Sequence, residues 1–204
     1  MKTIVITAQK GGTGKTTLAR NLAVAASQDG RTVICLDLDP QGSLRAWWEG
    51  RDADAPSMLD RDPAPDVLRA TLNAVQDKFD LSIIDTPPAA PEWLAEALGA
   101  ADLALIPVRP SPDDLRAVGA TITAANTARV PFVFVLSQTP RAKITEEAVR
   151  ILAQHGRVAP VNIAQRVSYA ETGATGRGVT ETTDNKAGAE IAAVWDYVRG
   201  ILDG

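Results

Sequence analysis

Short runs of β-branched and apolar residues alternate along this chain with longer segments of helical periodicity. Such alternation predicts parallel β–α–β units, and right-handed crossovers between them give a doubly wound α/β fold of three layers around a mainly parallel sheet. Several runs are continuously apolar, as is typical of strands covered on both faces. The predicted strands are 2–7, 32–38, 81–85, 103–108 and 132–137, with a weaker one at 160–163. The predicted helices are 15–28, 67–78, 92–100, 112–127, 145–155 and 186–202.

The length and composition of the chain are those of one ordinary globular domain. Its 204 residues, 45% of them hydrophobic and 23% charged, suffice for one sizeable core. We therefore expect a single domain over residues 1–204, in which the proline-rich stretch 49–65 is a surface loop. Because the first predicted strand begins at Lys2, we expect no N-terminal helix-turn-helix module and no sequence-specific operator binding.

Charge and cysteine content limit the partners and the compartment. The net charge of −4 argues against a globally basic nucleic-acid binder but leaves a local basic patch open. The single cysteine, Cys35, excludes an intramolecular disulfide, which agrees with a reducing cytoplasm.

No apolar run approaches the roughly 18 residues that cross a bilayer. The last predicted helix is amphipathic, but its polar face lacks the basic cluster that anionic lipid favours, so we expect no membrane contact.

A glycine-rich segment between the first predicted strand and the first helix predicts a phosphate-binding loop. Glycines let successive backbone N–H groups converge on phosphate oxygens, and the helix N-terminus adds partial positive charge. Lys15 is expected to reach the β- and γ-phosphates, and the Thr16 hydroxyl is expected to bind Mg²⁺. The predicted nucleotide-binding residues here are Lys10, Gly11, Gly12, Thr13, Gly14, Lys15, Thr16 and Thr17.

Phosphoryl transfer also needs a fixed Mg²⁺ ion and an aligned water molecule, so carboxylates are expected at the ends of neighbouring strands. Asp85 ends an apolar run and is predicted to hold Mg²⁺ through water, as a Walker B aspartate does. Asp37 and Asp39, near the end of another predicted strand, supply two more carboxylates. The chain therefore contains the acidic groups that its phosphate loop requires.

The loop departs from the standard phosphate-loop pattern in one informative way. Gln9 stands where the first glycine is usual, and an extra lysine, Lys10, precedes the glycine pair. The sequence Lys-Gly-Gly-Thr-Gly-Lys-Thr-Thr resembles the deviant Walker A motif of the ParA/MinD family, and the chain is most similar to its small plasmid-type ParA members. The resemblance implies a P-loop NTPase fold, ATP and Mg²⁺ as cofactors, and a sandwich homodimer that forms with ATP.

The same resemblance implies roles for individual residues. Lys10 would cross to the phosphates of the partner subunit, with the electrostatic logic of an arginine finger. By the match of Asp-Leu-Asp-Pro-Gln to the family motif, Asp39 would position the attacking water, and Asp37 would support the metal ion from behind its direct ligands. Lys10, Lys15 and Asp39 would then be the catalytic residues, and Thr16, Asp37 and Asp85 the residues of the metal site.

Later segments also resemble the small ParA proteins. The proline-rich stretch 106–115 is similar to a loop that follows the next strand in that family, and 165–171 is similar to a segment near the nucleotide base and the dimer face. No base-reading Asn-Lys-x-Asp motif follows the strand 132–137. Pro110, Ser137 and Gln138 are therefore the candidates for the adenine end of the nucleotide.

In the ParA branch, ATP-bound dimers bind DNA without sequence preference, and a ParB-like partner on the cargo stimulates hydrolysis. The resemblance thus implies a cytoplasmic, nucleoid-associated partitioning ATPase for plasmid or chromosomal cargo. Nonspecific binding needs basic side chains on phosphates. The candidates, which could equally be scattered solubilising charges, are Arg141, Lys143, Arg166, Arg177, Lys186 and Arg199.

Two other functions stay open at this point. The same ATPase could position a protein cargo, such as a chemoreceptor cluster or a microcompartment, through a different adaptor. A metabolic phosphotransferase could also use such a loop, but it would give Lys10 no evident role. A tyrosine kinase is disfavoured because the chain has two tyrosines and no tyrosine-rich tail.

Overall fold

The computed structural model describes residues 1–89 and 91–204. The strands are β1 (Lys2–Ile6), β2 (Val33–Asp37), β3 (Ser57–Met58), β4 (Leu81–Asp85), β5 (Leu103–Val108), β6 (Phe132–Leu136) and β7 (Arg157–Val158). The α-helices are α1 (Lys15–Gln28), α2 (Ser43–Glu49), α3 (Leu68–Val75), α4 (Pro91–Ala100), α5 (Pro112–Ala128), α6 (Lys143–Leu152), α7 (Val167–Ala174) and α8 (Asn185–Asp203). Short 3₁₀ helices span Pro65–Val67 and Val179–Glu181.

The seven strands in the described part of the chain form one parallel sheet in the order β3-β2-β4-β1-β5-β6-β7. The order reverses direction at β1, which pairs with β4 on one side and β5 on the other. The predicted doubly wound α/β fold is therefore confirmed. A reversal of this kind opens a crevice at the carboxyl ends of the strands, where ligands bind in such sheets.

Helices cover both faces of the sheet and make three layers. Ile4 and Ile6 of β1 face the cluster that contains α1 and α8, whereas Val5 faces the cluster that contains α3 and α4. The apolar stripe of α8 is buried against α1 and the sheet, with Ile191 fully inaccessible. This helix therefore packs on the body of the fold, with its apolar stripe covered by protein.

The structure corrects the prediction of secondary structure in several places. The weak strand expected at 160–163 is wrong, because β7 lies earlier, at Arg157–Val158. After Pro160, which has no backbone N–H, the Ile163 N–H donates to the Leu136 carbonyl at the end of β6, and Ala164 forms an isolated bridge with Thr139 beyond that strand. The prediction also missed α2, α7 and β3, of which β3 falls inside the predicted surface loop 49–65.

Candidate nucleotide-binding site

The glycine-rich loop connects β1 to α1 at the carboxyl edge of the sheet, where the sequence places it. Gly12 and Gly14 have φ angles of 74° and 92°, a left-handed conformation that glycine adopts without a steric penalty. The Ser137 hydroxyl donates to the Thr13 carbonyl at 2.6 Å, and the Gln138 amide donates to the Gly12 carbonyl at 2.7 Å. Ser137 and Gln138, predicted near adenine, thus hold the loop in place from the end of β6.

Lys15 opens α1 and is nearly buried, with 7% of its surface exposed. Burial lowers the pKa of its ammonium, and the carboxylates of Asp85 and Asp39 act in the opposite direction. A cation held beside the loop with its solvation reduced attracts an anion strongly. The geometry therefore suits Lys15 to the phosphates of a nucleotide.

Asp85 lies at the end of β4 with its carboxylate buried. The Thr16 hydroxyl donates to Asp85 Oδ2 at 2.5 Å, whereas Oδ1 is buried without a hydrogen-bond partner among the described residues. Burial raises the pKa of Asp85 to about 7, against the lowering effects of the Thr16 hydrogen bond and the Lys15 charge. An orphaned carboxylate oxygen next to a hydroxyl supplies the hard oxygen donors that Mg²⁺ prefers.

A bound nucleotide and water molecules would supply the remaining ligands of such an ion. Within residues 1–89 and 91–204 there is no group of three or more His, Cys, Asp or Glu side chains that could hold a metal. Mg²⁺ in nucleotide sites keeps several waters and binds phosphate oxygens, so one hydroxyl and one carboxylate are an adequate protein contribution. The residues present fit a nucleotide-bound Mg²⁺ ion.

Asp37 is the register neighbour of Asp85, but its carboxylate is engaged elsewhere. Its Oδ2 accepts the backbone N–H groups of Leu44 and Arg45 at 2.8 and 3.0 Å, and its Oδ1 accepts that of Asp39 at 3.1 Å. Asp37 therefore caps the N-terminus of α2 from a preceding strand. A supporting role behind the metal ion stays a prediction, and the helix cap is the role that its contacts give it.

Asp39 lies in the turn after β2, partly exposed, and accepts the Gln41 backbone N–H at 3.0 Å. It follows β2 at the carboxyl edge of the sheet, where the phosphate loop also lies, and its charge acts to raise the pKa of both Lys15 and Asp85. This placement is compatible with a carboxylate that orients a water molecule, which stays a prediction.

The additional lysine has a partner that the sequence did not reveal. Lys10 Nζ lies 2.7 Å from Asp114 Oδ1, and Arg109 forms a two-point contact with the same carboxylate, at 2.8 and 3.0 Å. The Asp114 side chain is 1% exposed and that of Lys10 is 35% exposed. Burial alone would raise the pKa of Asp114, but hydrogen bonds from Arg109, Lys10 and Ser111 lower it to about 2.

Arg109 is a further member of the site that sequence reasoning missed. A Cβ atom on Gly12 would stand 3.8 Å from Arg109 Nη1, so the guanidinium lies over the phosphate loop. The signal was a run of charged residues around Pro110, from which only the proline was selected. Pro110 itself is buried and is not among the residues that line the adjoining cavity.

A cavity of about 450 Å³ opens beside the phosphate loop, between α1 and α7. Gly14 and Thr17 line its phosphate end, and Ser137 and Gln138 line one side. The rest of the lining is mostly apolar and comes from α1, Pro107 of β5, the segment 163–166, α7 and α8. Cavities of this size and character accommodate nucleosides and similar ligands.

The six candidate DNA contacts fall into two groups. Arg166 is paired with Glu190, and Arg199 is paired with Asp29 at 2.9 Å, so both guanidinium groups already have carboxylate partners. The others are exposed and form no ion pair within the described part of the chain; they are Arg141, Lys143, Arg177 and Lys186. The second group is the better set of phosphate contacts.

Comparison with known proteins identifies the family. Residues 4–179 match the family described as CobQ/CobB/MinD/ParA nucleotide binding domain. The chain belongs to this family. It is 32% identical over 177 residues to maintenance of carboxysome distribution protein A (McdA) of Halothiobacillus neapolitanus, covering 82% of this chain and 81% of that protein. It is also 29% identical to the sporulation initiation inhibitor protein Soj of Bacillus subtilis. That match covers only 53% of this chain and 58% of Soj.

Solved structures share the fold of this family member. Apo McdA of Cyanthece superposes with a TM-score of 0.82 at 20% identity, covering 97% of this chain and 99% of that one. A chain of the MinC:MinD cell division protein complex of Aquifex aeolicus gives a TM-score of 0.85 at 19% identity, covering 98% of this chain and 96% of that one. Among the described residues, no helix has the length and apolar character needed to cross a membrane.

Proposed function

We propose that this protein is a ParA-type positioning ATPase that binds and hydrolyses ATP with Mg²⁺ and dimerises when ATP is bound. The observation that carries the proposal is the position of Lys10, at the mouth of a phosphate loop whose Lys15, Thr16 and Asp85 are already assembled. We further propose that residues 1–204 form one domain.

Each side chain has one task in this proposal. The loop amides and Lys15 bind the β- and γ-phosphates, and Thr16 and Asp85 would hold Mg²⁺. When bound, Mg²⁺ neutralises charge that develops on the phosphate oxygens. Asp39 orients the attacking water. Lys10 releases Asp114 and reaches the phosphates of the partner subunit, while Arg109 continues to neutralise that carboxylate.

Release of Lys10 is inexpensive because Asp114 has two cationic partners. With both in place the cluster carries one excess positive charge, and Arg109 alone leaves a neutral two-point pair. A buried carboxylate stripped of its only cation would be costly. The arrangement therefore supports a lysine that changes partner when a second subunit presents a triphosphate.

The cargo is the finer part of the proposal. Partitioning of plasmid or chromosomal DNA with a ParB-like partner is one possibility, and positioning of a protein cargo through an adaptor is the other. The longer match to McdA, a carboxysome distribution protein by its name, favours the protein cargo over the shorter match to Soj. A metabolic phosphotransferase is disfavoured because it would leave Lys10 without a task.

In both versions the dimer would bind DNA without sequence preference and associate with the nucleoid while it holds ATP. The exposed basic residues near α6 and α8, which form no ion pair with the residues that the structure describes, support such a contact. The cytoplasm is the compartment that this proposal requires.

The decisive experiment sizes the Asp39→Ala protein by light scattering with ADP and with ATP, with and without duplex DNA at two salt concentrations. We expect monomers with ADP, dimers with ATP, and DNA binding by the ATP form alone that weakens as salt rises. The double variant Lys10→Gln, Asp39→Ala should bind ATP but stay monomeric. ATP-loaded monomers of Asp39→Ala, or dimers of the double variant, would contradict the proposal.

A further inference from the structure

Arg20 is a buried cation without a counter-charge. It lies in the interior of α1 with 9% of its surface exposed, and it lines the cavity beside the phosphate loop. Its guanidinium donates to the backbone carbonyl of Tyr169 in α7, while its Nε–H is buried without a partner among the described residues. No carboxylate within the described ranges forms an ion pair with it.

A guanidinium in this position lowers the free energy of unfolding. It carries five N–H donors, and a buried donor without an acceptor costs free energy that a purely structural contact would not repay. Burial, with no opposing charge, lowers the pKa of Arg20. The side chain of Arg51, by contrast, is equally well buried and has Glu181 as a carboxylate partner. The Arg20 guanidinium therefore has hydrogen-bonding capacity that the described residues do not fill, and a molecule bound in the cavity could supply the acceptor.

The surrounding backbone is shaped to admit this side chain. A Cβ atom on Gly173 would overlap the Arg20 guanidinium, so the side chain can occupy this position only because residue 173 is glycine. Tyr169, one turn earlier in α7, supplies the carbonyl. Two residues of α7 thus hold the guanidinium at the wall of the cavity.

The cavity dictates which end of a nucleotide would meet Arg20. Gly14 and Thr17 belong to the phosphate loop and line the same cavity, so a triphosphate on the loop directs its nucleoside into this space. Leu18, Ile163 and Ile191 provide apolar surface for the faces of a base. The edge of a purine carries ring nitrogens that accept hydrogen bonds, which are the atoms that an unfilled guanidinium donor requires.

We propose that Arg20 is a nucleoside-positioning residue, whose guanidinium binds the acceptor edge of a purine base when a nucleoside triphosphate occupies the phosphate loop. The inference rests on the proposed function, because it takes the loop to hold a nucleotide. It adds a base-binding cation at a position that the loop motif does not cover.

The test separates the base from the phosphates. Calorimetry with Mg²⁺ measures the affinity of the protein for a non-hydrolysable ATP analogue and for inorganic tripolyphosphate. Arg20→Met should lower the affinity for the analogue by about tenfold to a hundredfold, the range for a hydrogen bond to a charged group. The affinity for tripolyphosphate should not change. Its urea midpoint without ligand should not fall, because the variant removes an uncompensated buried charge.

Two further variants keep the test falsifiable. Gly173→Ala should reproduce the selective loss by displacing the guanidinium, and Arg31→Met, which breaks an exposed ion pair with Asp203, should change neither affinity. Equal loss of both ligands would make Arg20 a structural tie between α1 and α7, and unchanged analogue affinity would also overturn the inference. A wild-type protein that binds no ATP analogue would instead overturn the proposed function.

Discussion

At the residue scale, Asp114 gives the site a measurable acid sensitivity. Its folded pKa of about 2 lies below the value of about 3.9 in an unfolded chain. A carboxylate with a lowered pKa stabilises the fold above about pH 4, and that stability is lost as the pH falls toward 2. After allowance for solvent screening, we expect about 1–2 kcal/mol of the free energy of unfolding to disappear over this interval.

Urea unfolding at several pH values between 5 and 2.5, an interval chosen around these pKa values, checks this prediction. Asp114→Asn should be less stable at neutral pH and should lose less stability on acidification. Lys10→Gln should keep most of the wild-type dependence of the free energy of unfolding on pH, because Arg109 still contacts both oxygens of Asp114. An acid slope in Asp114→Asn as steep as that of the wild type would assign the effect to other carboxylates.

The sequence predicted Lys10 as a special residue but not its resting contact. The motif around the glycine pair is local, so the lysine stands out within eight residues. Its ion pair with Asp114 joins positions about a hundred residues apart, and only the adjacency of β1 and β5 in the sheet brings them together. The role of Arg20 could not be predicted for the same reason. Its lack of a carboxylate partner among the described residues results from the packing of the helices, which no local sequence pattern shows.

At the element scale, α2 depends on a cap that lies outside it. The helix has seven residues, and Gly42 precedes it in a left-handed conformation without a side-chain acceptor. Asp37 supplies the acceptor for two of its first N–H groups. Asp37→Ala should therefore lower the free energy of unfolding without ligand by about 1–3 kcal/mol, the range for a lost cap with buried donors left unpaired.

Urea unfolding in the presence of a chelator measures this effect, with Asp39→Ala as the matched control two residues away. Asp39 accepts one hydrogen bond within an exposed turn, so its loss should cost less. If Asp37→Ala kept wild-type stability and altered only the Mg²⁺ dependence of nucleotide binding, its role would be that of a metal support, as the family motif implies.

The same contrast explains which elements the sequence could predict. The helices α1, α5 and α8 have 14, 17 and 19 residues, enough for a hydrophobic period to be recognised, and their predicted bounds agree with the structure within one residue. The elements missed, α2, α7 and β3, have two to eight residues and take their stability from contacts with distant segments. Local propensity cannot detect such elements.

At the scale of the whole molecule, the grouping of the candidate phosphate-binding residues could be predicted because parallel strands end at one edge. Each motif follows a strand, so the topology alone brings Lys15, Asp39 and Asp85 together at the carboxyl ends of β1, β2 and β4. Which of the six basic candidates are free to contact DNA could not be predicted in this way, because their pairing with carboxylates depends on the packing of helices. Arg199 and Arg166 were candidates by charge, and their partners Asp29 and Glu190 come from sequence-distant positions.

This difference leads to a prediction for DNA binding by the ATP-bound form. Arg141 and Lys143 are exposed at the start of α6 and free of ion pairs within the described chain, whereas Arg199 is held by Asp29. The double variant Arg141→Ala, Lys143→Ala, in the Asp39→Ala background with ATP, should bind duplex DNA more weakly. Each lost phosphate contact should reduce the slope of log affinity against log salt by about 0.9.

Fluorescence anisotropy of labelled duplex DNA over a salt series measures both quantities. Arg199→Ala in the same background is the control, and its slope should equal that of the parent because its guanidinium does not reach a phosphate. Light scattering must show the dimer in every variant, so that a loss of DNA affinity cannot arise from a loss of dimers. An unchanged slope in the double variant with a reduced slope in Arg199→Ala would move the DNA surface from α6 to α8.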